Sequence, residues 1–274
     1  MTRRVAALMY HDVTDEPTTS GFQRPGAWPY KLSRRRFDQH LAQLAAAAAA
    51  PVLVTDLALA VPGGGDHLML TFDDGALGAL HAADALSRRG WRAHFFIVTG
   101  LLGAPGFLSP ADVRALRAAG HLIGSHSHTH PDIFRDLPPA RMAFEWRTSR
   151  AVLEDLLGEP CLVASVPGGD SSPAVFRSAA KAGYRFLFTS EPWLRPRRVA
   201  GCTVLGRFSV KAQTPVERVA ALAEYRGWGR ALAQRRLQTL LRRAVPWAYR
   251  AYVRQRTAAP PAPAAPPITA PGGT

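Results

Sequence analysis

Short β-rich apolar runs alternate with helix-length stretches from residue 5 to residue 225, and this constrains the fold more than any other feature of the sequence. Strands are read at Val5–Tyr10, Leu68–Phe72, Arg92–Val98, Leu122–Ser125, Cys161–Val166, Arg185–Thr189 and Cys202–Val210. Helices lie between them. One starts at Ser33 and runs through the alanines at 45–50 to Pro51, and another spans Ala76–Arg89 and closes at Gly90. Further helices open at Ser109-Pro110, fill 138–157 and open at Ser172-Pro173, and Pro215–Tyr225 is also helical. Repeated strand–helix units call for parallel strands with helices packed outside. The expected fold is therefore α/β, a deformed (β/α) barrel of about seven parallel strands. Residues 1–225 form the barrel, 226–256 a basic helix, and 257–274 a Pro/Ala-rich disordered tail.

Charge sharpens this division. The net charge is +14, but the last acidic residue is Glu224, and nine arginines and no lysine follow it. The first 225 residues carry only +5 of the total. Within 232–256, Leu237, Leu240, Leu241, Val245 and Tyr252 share one helical face, and arginines occupy the other. Pro246 is expected to kink that helix. Such a helix suits either an anionic membrane surface or packing on the barrel. No recognition motif or aromatic interleaving accompanies the arginines, so specific nucleic-acid binding is not expected.

No apolar run reaches the length of a membrane span. Met1-Thr2-Arg3-Arg4 is not followed by a signal-peptide pattern, so the expected location is the cytoplasm, with peripheral contact at the inner membrane face. Cys161 and Cys202 are too few for a disulfide framework.

The chemistry gathers just after strands. Thr71-Phe72-Asp73-Asp74-Gly75 places two adjacent carboxylates where an apolar run stops. Ser125-His126-Ser127-His128-Thr129-His130-Pro131 places two imidazoles four residues apart. One carboxylate with His126 and His130 makes a two-His, one-carboxylate set for a divalent ion, leaving the other carboxylate as a base. Taken singly, adjacent aspartates also serve as a helix cap, and paired histidines can simply be surface residues. Together they are the components of metal-assisted hydrolysis.

These residues resemble the polysaccharide deacetylase family, also called the NodB-homology domain, over about residues 1–210. Its first motif, Thr-Phe-Asp-Asp-Gly, stands letter for letter at 71–75, and its second, His-(Ser/Thr)-x-x-His, at 126–130. Met9-Tyr10-His11-Asp12-Val13 also resembles the start of many members. The resemblance implies that Asp74, His126 and His130 hold Zn²⁺ or another divalent ion such as Co²⁺ or Ni²⁺. It implies that Asp73 is the general base, and that the substrate is an N-acylated amino sugar in a glycan or lipid-linked saccharide, cleaved at a linear C–N amide bond. Pro167-Gly168-Gly169 matches the third motif and is expected to bind substrate.

The chain departs from the family pattern in three places. Ser165 stands where the third motif usually carries an arginine, and Arg207 is the candidate replacement. No histidine follows His130, so His11 is the candidate acid. No late Asp-Trp motif is present, and Trp193 is the candidate apolar wall. These departures leave a second class open, a metal- and glycan-binding protein without turnover. The intact Asp73 argues against that class.

Overall fold

The computed structural model describes residues 4–47, 50–59, 65–169 and 171–258. Its strands are β1 (Val5–Tyr10), β2 (Asp12–Val13), β3 (Lys31–Leu32), β4 (His67–Phe72), β5 (His94–Ile97), β6 (Leu122–Ser125), β7 (Val163–Ser165), β8 (Phe186–Phe188), β9 (Arg197–Val199), β10 (Cys202–Leu205) and β11 (Phe208–Ser209). Its α-helices are α1 (Arg34–Ala47), α2 (Val54–Leu59), α3 (Gly78–Ser87), α4 (Pro110–Ala118), α5 (Pro139–Leu157), α6 (Pro173–Lys181), α7 (Val216–Ala223), α8 (Trp228–Ala244) and α9 (Pro246–Thr257).

Nine strands form one sheet in the order β11-β1-β4-β5-β6-β7-β8-β10-β9, and β2 and β3 pair separately. Within that sheet every pairing is parallel except β10 with β9. The expected barrel is thus present as a curled sheet with β11 and β9 at its two edges, open between them among the described residues. Parallel strands buried on both faces should read as near-continuous apolar runs. β1 does so, with all six residues buried.

Two apolar clusters hold the sheet. The larger packs the outer sheet face against the helices through Tyr10, Phe37, Phe72, Phe95 and Trp146. The smaller fills the concave side with Ala7, Met69, Phe96, Phe188 and Leu205. His94 belongs to this packing rather than to a site. Its Nδ1 lies 3.0 Å from the carbonyl of Leu70, and its Nε2 accepts from the amide of Val54 at 2.9 Å.

Two local differences from the sequence reading matter. The run expected as one strand over 202–210 breaks at Gly206-Arg207. A β-carbon on Gly206 would lie 2.4 Å from the carbonyl oxygen of Glu191 and 2.5 Å from that of Trp193, so only glycine fits. The expected basic helix is two helices, with Pro246 opening the second. The Pro/Ala-rich tail lies outside the described residues from 259 onward.

Candidate active site

Because the strands around the site run parallel, their C-terminal ends share one rim, where barrel sites are built. Asp73 follows β4, His126 follows β6, His11 follows β1, the Pro167–Gly169 turn follows β7, and Arg207 follows β10. The amide of Asp73 continues the strand ladder, donating to the Tyr10 carbonyl at 3.0 Å. The chain then turns sharply, with Asp74 at φ 78°. That turn separates the two carboxylates by task. Asp73 faces Arg207, and Asp74 faces the histidines.

The histidine turn is held from below. Ser127 and His130 have positive φ, at 65° and 54°. The Ser127 hydroxyl accepts from the His130 amide at 3.1 Å. Glu145, fully buried on α5, accepts from the amides of His128 and Thr129 at 3.0 and 2.7 Å and from the Thr129 hydroxyl at 2.6 Å. Sequence reasoning missed Glu145. The signal was available, because an acid occupies a position on the buried face of α5, between Met142 and Ser149.

His126 Nε2 and His130 Nε2 lie 3.4 and 3.6 Å from Asp74 Oδ1. All three candidate ligand atoms fall within 4.8 Å of one another. Asp74 Oδ1 is buried and has no hydrogen-bond partner. Ligands about 2.1 Å from a tetrahedral ion lie roughly 3.4 Å apart, so two imidazoles and an orphaned carboxylate oxygen fit Zn²⁺ or a similar divalent ion.

Hydrogen bonds to the far sides of the rings set their tautomers. His126 Nδ1 lies 3.2 Å from the Ser165 carbonyl, a pure acceptor, so Nδ1 carries the proton and Nε2 offers its lone pair. His130 is arranged the other way. Its Nδ1 lies 3.0 Å from Arg24 Nη2, a pure donor, so Nδ1 is the accepting nitrogen. Arg24 also pairs with Asp132 at 3.1 Å. Nothing in the sequence pointed to Arg24.

Arg207 fills the gap left in the third motif. Its guanidinium is fully buried, with Nη1 2.7 Å from Asp73 Oδ1 and Nη2 2.8 Å from Asp73 Oδ2. Nη2 also donates to the Ser165 hydroxyl at 2.9 Å, and that hydroxyl lies 3.1 Å from Asp73 Oδ2. Nη1 donates to the Thr71 hydroxyl, and Nε to the Thr189 carbonyl. The fork matches a carboxylate geometrically, as lysine could not.

Electrostatics separate the groups further. Burial pulls the Asp73 carboxyl up, but Arg207 and His126 outweigh it and hold the group well below the usual carboxylate range. Burial and the neighbouring Asp73 charge push Asp74 up to about 7. Burial lowers His126 and lowers His130 further. His11 is lowered to about 4 by burial, with Asp73 opposing. It is therefore neutral at pH 7, with its Nδ1 buried and without a hydrogen-bond partner.

The cleft above these residues measures about 960 Å³. Gly168 and Gly169 line it, whereas Pro167 is buried beside it. A β-carbon on Gly169 would meet the Ser190 hydroxyl at 2.5 Å, so glycine is required. Trp193 does not line the cleft, a correction to its expected role as a wall. Its backbone and ring sit against Gly206, Arg197 stacks over the ring at 4.1 Å, and its neighbour Pro192 faces the cleft instead. The far wall is built by α8 and α9, through Gln234, Arg235, Gln238 and Tyr249. Arg235 ties that wall to the rim, donating to the Gly169 carbonyl at 2.7 Å and pairing with Glu191 at 3.1 Å. Of the two alternatives open for the basic segment, packing on the barrel is present, and through it the segment lines the cleft.

Comparison with known proteins agrees with this geometry. The profile described as polysaccharide deacetylase matches residues 60–187. A curated relative, YxkH of Bacillus subtilis (strain 168), is 25% identical over 126 residues, which are 46% of this chain and 45% of that one. The chain thus spans under half the length of that relative. Among solved structures, the Streptococcus pyogenes deacetylase PplD in complex with acetate superposes with a TM-score of 0.68 and 19% identity, covering 82% of this chain and 100% of that one. A polysaccharide deacetylase from Bacillus cereus gives a TM-score of 0.67 and 19% identity, covering 81% and 69%. At that identity the two structures speak for the fold. The matched profile, described as polysaccharide deacetylase, spans the segment that carries Asp73, Asp74, His126 and His130, and over that segment the chain is similar to this family.

Proposed function

We propose that this protein is a metal-dependent hydrolase that removes an acetyl or other acyl group from the nitrogen of an amino sugar in a saccharide. One observation carries the reading. A free carboxylate, two imidazole nitrogens and an arginine-clamped second carboxylate converge at the base of one cleft. Asp74, His126 and His130 would hold the ion, which supplies positive charge beside the acyl oxygen and acidifies water there.

The protein's own groups then divide the work. Asp73 accepts the proton of the attacking water through the carboxylate that Arg207 orients. A carboxyl held so far below its usual range is a weak base but, once protonated, a strong acid. Asp73 therefore also hands the proton on to the departing amine. His11, neutral at pH 7, contributes a hydrogen-bonding ring at the cleft floor rather than an imidazolium. The backbone of the Gly168-Gly169 turn, free of side chains, leaves room for the sugar. The Arg207–Asp73 clamp also supports turnover over a binding-only role, because metal retention alone needs neither residue.

The test is acetate release from N-acetylglucosamine oligomers by chelated protein reloaded with Zn²⁺, Co²⁺ or Ni²⁺. Metal-restored release that vanishes in Asp73→Asn supports the reading. Release that survives chelation, or that survives Asp73→Asn, rejects it.

A further inference from the structure

The helices that wall the cleft have a second face. On α8 the cleft-lining positions Ala231, Gln234, Arg235 and Gln238 recur at helical spacing on one side. The opposite side presents Leu237 and Leu240, 59% and 62% exposed, with the exposed Arg236 just before Leu237. On α9, Ala248 and Tyr249 line the cleft, while Trp247, 73% exposed, and Arg254 point outward. Soluble proteins rarely leave a tryptophan and two leucines this exposed on one surface. Here they sit in a segment with nine arginines and, after Glu224, no acidic residue.

We propose that the outer face of the α8–α9 pair docks on an anionic lipid bilayer. Leucine and tryptophan side chains enter the headgroup boundary, and arginines pair with lipid phosphates, as in interfacial amphipathic helices. Among the described residues no helix is long and apolar enough to cross a membrane, so the pair lies on the surface rather than spanning it. The acid-free charge picks the occupant, because a protein partner would need a matching acidic face, whereas an anionic leaflet supplies one everywhere.

The docking has a consequence for substrate, and this step rests on the deacetylase reading. The same helices form one wall of the cleft, so docking brings the cleft to the bilayer surface. The saccharide it takes is then one carried on a membrane lipid.

The experiment is flotation of the full-length protein with vesicles of phosphatidylglycerol mixed with phosphatidylcholine, against phosphatidylcholine alone. Leu240→Glu and Trp247→Glu are run alongside, with circular dichroism to verify folding. The expected result is binding to anionic vesicles only, weakened on the order of tenfold in each variant. Acetate release from a soluble N-acetylglucosamine oligomer should stay at the parent level in both. Release from an N-acetylglucosaminyl lipid embedded in the anionic vesicles should fall with the binding. No flotation, flotation unchanged in both variants, or equal flotation with neutral vesicles overturns the proposal. So does preferential retention of duplex DNA with the same sensitivity to the variants. Vesicle binding without acetate release from either substrate would reject the deacetylase reading while leaving the docking surface standing.

Discussion

Arg207 holds Asp73 with both arms of its guanidinium, at 2.7 Å to Oδ1 and 2.8 Å to Oδ2, and both side chains are buried. The two residues are 134 positions apart. The family's third motif places its arginine after an earlier strand, where this chain has Ser165. Ser165 nevertheless joins the network, accepting from Arg207 and contacting Asp73 and His126. A serine is too short to reach a carboxylate bidentately, but it leaves room for a guanidinium arriving from the β10–β11 side.

Breaking this clamp should be costly in two ways. Arg207→Met leaves a buried carboxylate unpaired, a loss of about 3–5 kcal/mol by denaturant titration. It also removes the main charge holding Asp73 down, so the carboxyl rises. The acid limb of the pH–activity profile should therefore move to higher pH in any folded Arg207 variant that lacks the positive charge. An unmoved limb in folded Arg207→Met would show that the clamp does not set the titration of Asp73.

Metal retention and turnover should separate at the adjacent aspartates. Asp73→Asn is expected to keep its ion and lose activity by roughly 10²- to 10⁴-fold, the usual worth of a general base. Asp74→Ala and His126→Ala should lose the ion, measured by elemental analysis after dialysis.

Arg24 should oppose metal binding. A ring that binds an ion through Nε2 needs a proton on Nδ1, and His130 Nδ1 instead faces the Arg24 guanidinium at 3.0 Å. Arg24 must withdraw when the ion arrives, and its charge adds repulsion. Arg24→Gln should tighten metal binding by about tenfold, read by competition with a chromophoric chelator. Equal or weaker affinity would mean the contact is incidental.

Protons should compete for the same site. Asp74 rises to about 7 from its ordinary 3.8 because burial and Asp73 disfavour its charge. In the metal-free protein that protonated form contributes stability that is fully present below 3.8 and lost as pH climbs through about 7. Metal needs the ionised form and recovers that loss. The rise in Tm on adding Zn²⁺ should therefore grow between pH 5 and pH 8.

His94 should make the fold acid-sensitive independently of the site. Its Nε2 accepts from the Val54 amide, so protonation would set two donors against each other. Burial lowers it from 6.5 to about 4, which means the unfolded chain takes up the proton first as pH falls. The stability it contributes is present above 6.5 and lost as pH falls through about 4. His94→Gln should be less stable at pH 7 yet show a shallower decline between pH 6.5 and 4.

Local chemistry was legible in the sequence, and long-range contact was not. Asp73, Asp74 and His126 could be read because each follows an apolar strand run, and strand ends share a rim in parallel sheets, while His130 was read from its four-residue spacing from His126. Arg207 was legible as a glycine-arginine pair after a late strand. Arg24 lies in a loop whose course no periodicity fixes. Glu145 sits in a long helix and reaches a turn 16 and 17 residues earlier. The inward face of α8 was hidden for a different reason. Its lining residues are Ala, Gln and Arg, and a cleft-facing stripe of that kind looks like a solvent-facing one until the barrel is in place.

Asp74, Ser127 and His130 all have left-handed backbone at the mouth of the candidate metal site. Glycine would be more comfortable at each, by up to about 1 kcal/mol where no side-chain contact is lost. At Asp74 and His130 that substitution deletes a candidate ligand, and at Ser127 it deletes the hydroxyl that holds the His130 amide. Selection for heat resistance alone would therefore wear this site away residue by residue. The tension in these two turns marks how far the fold can be hardened before the candidate ligand set is lost.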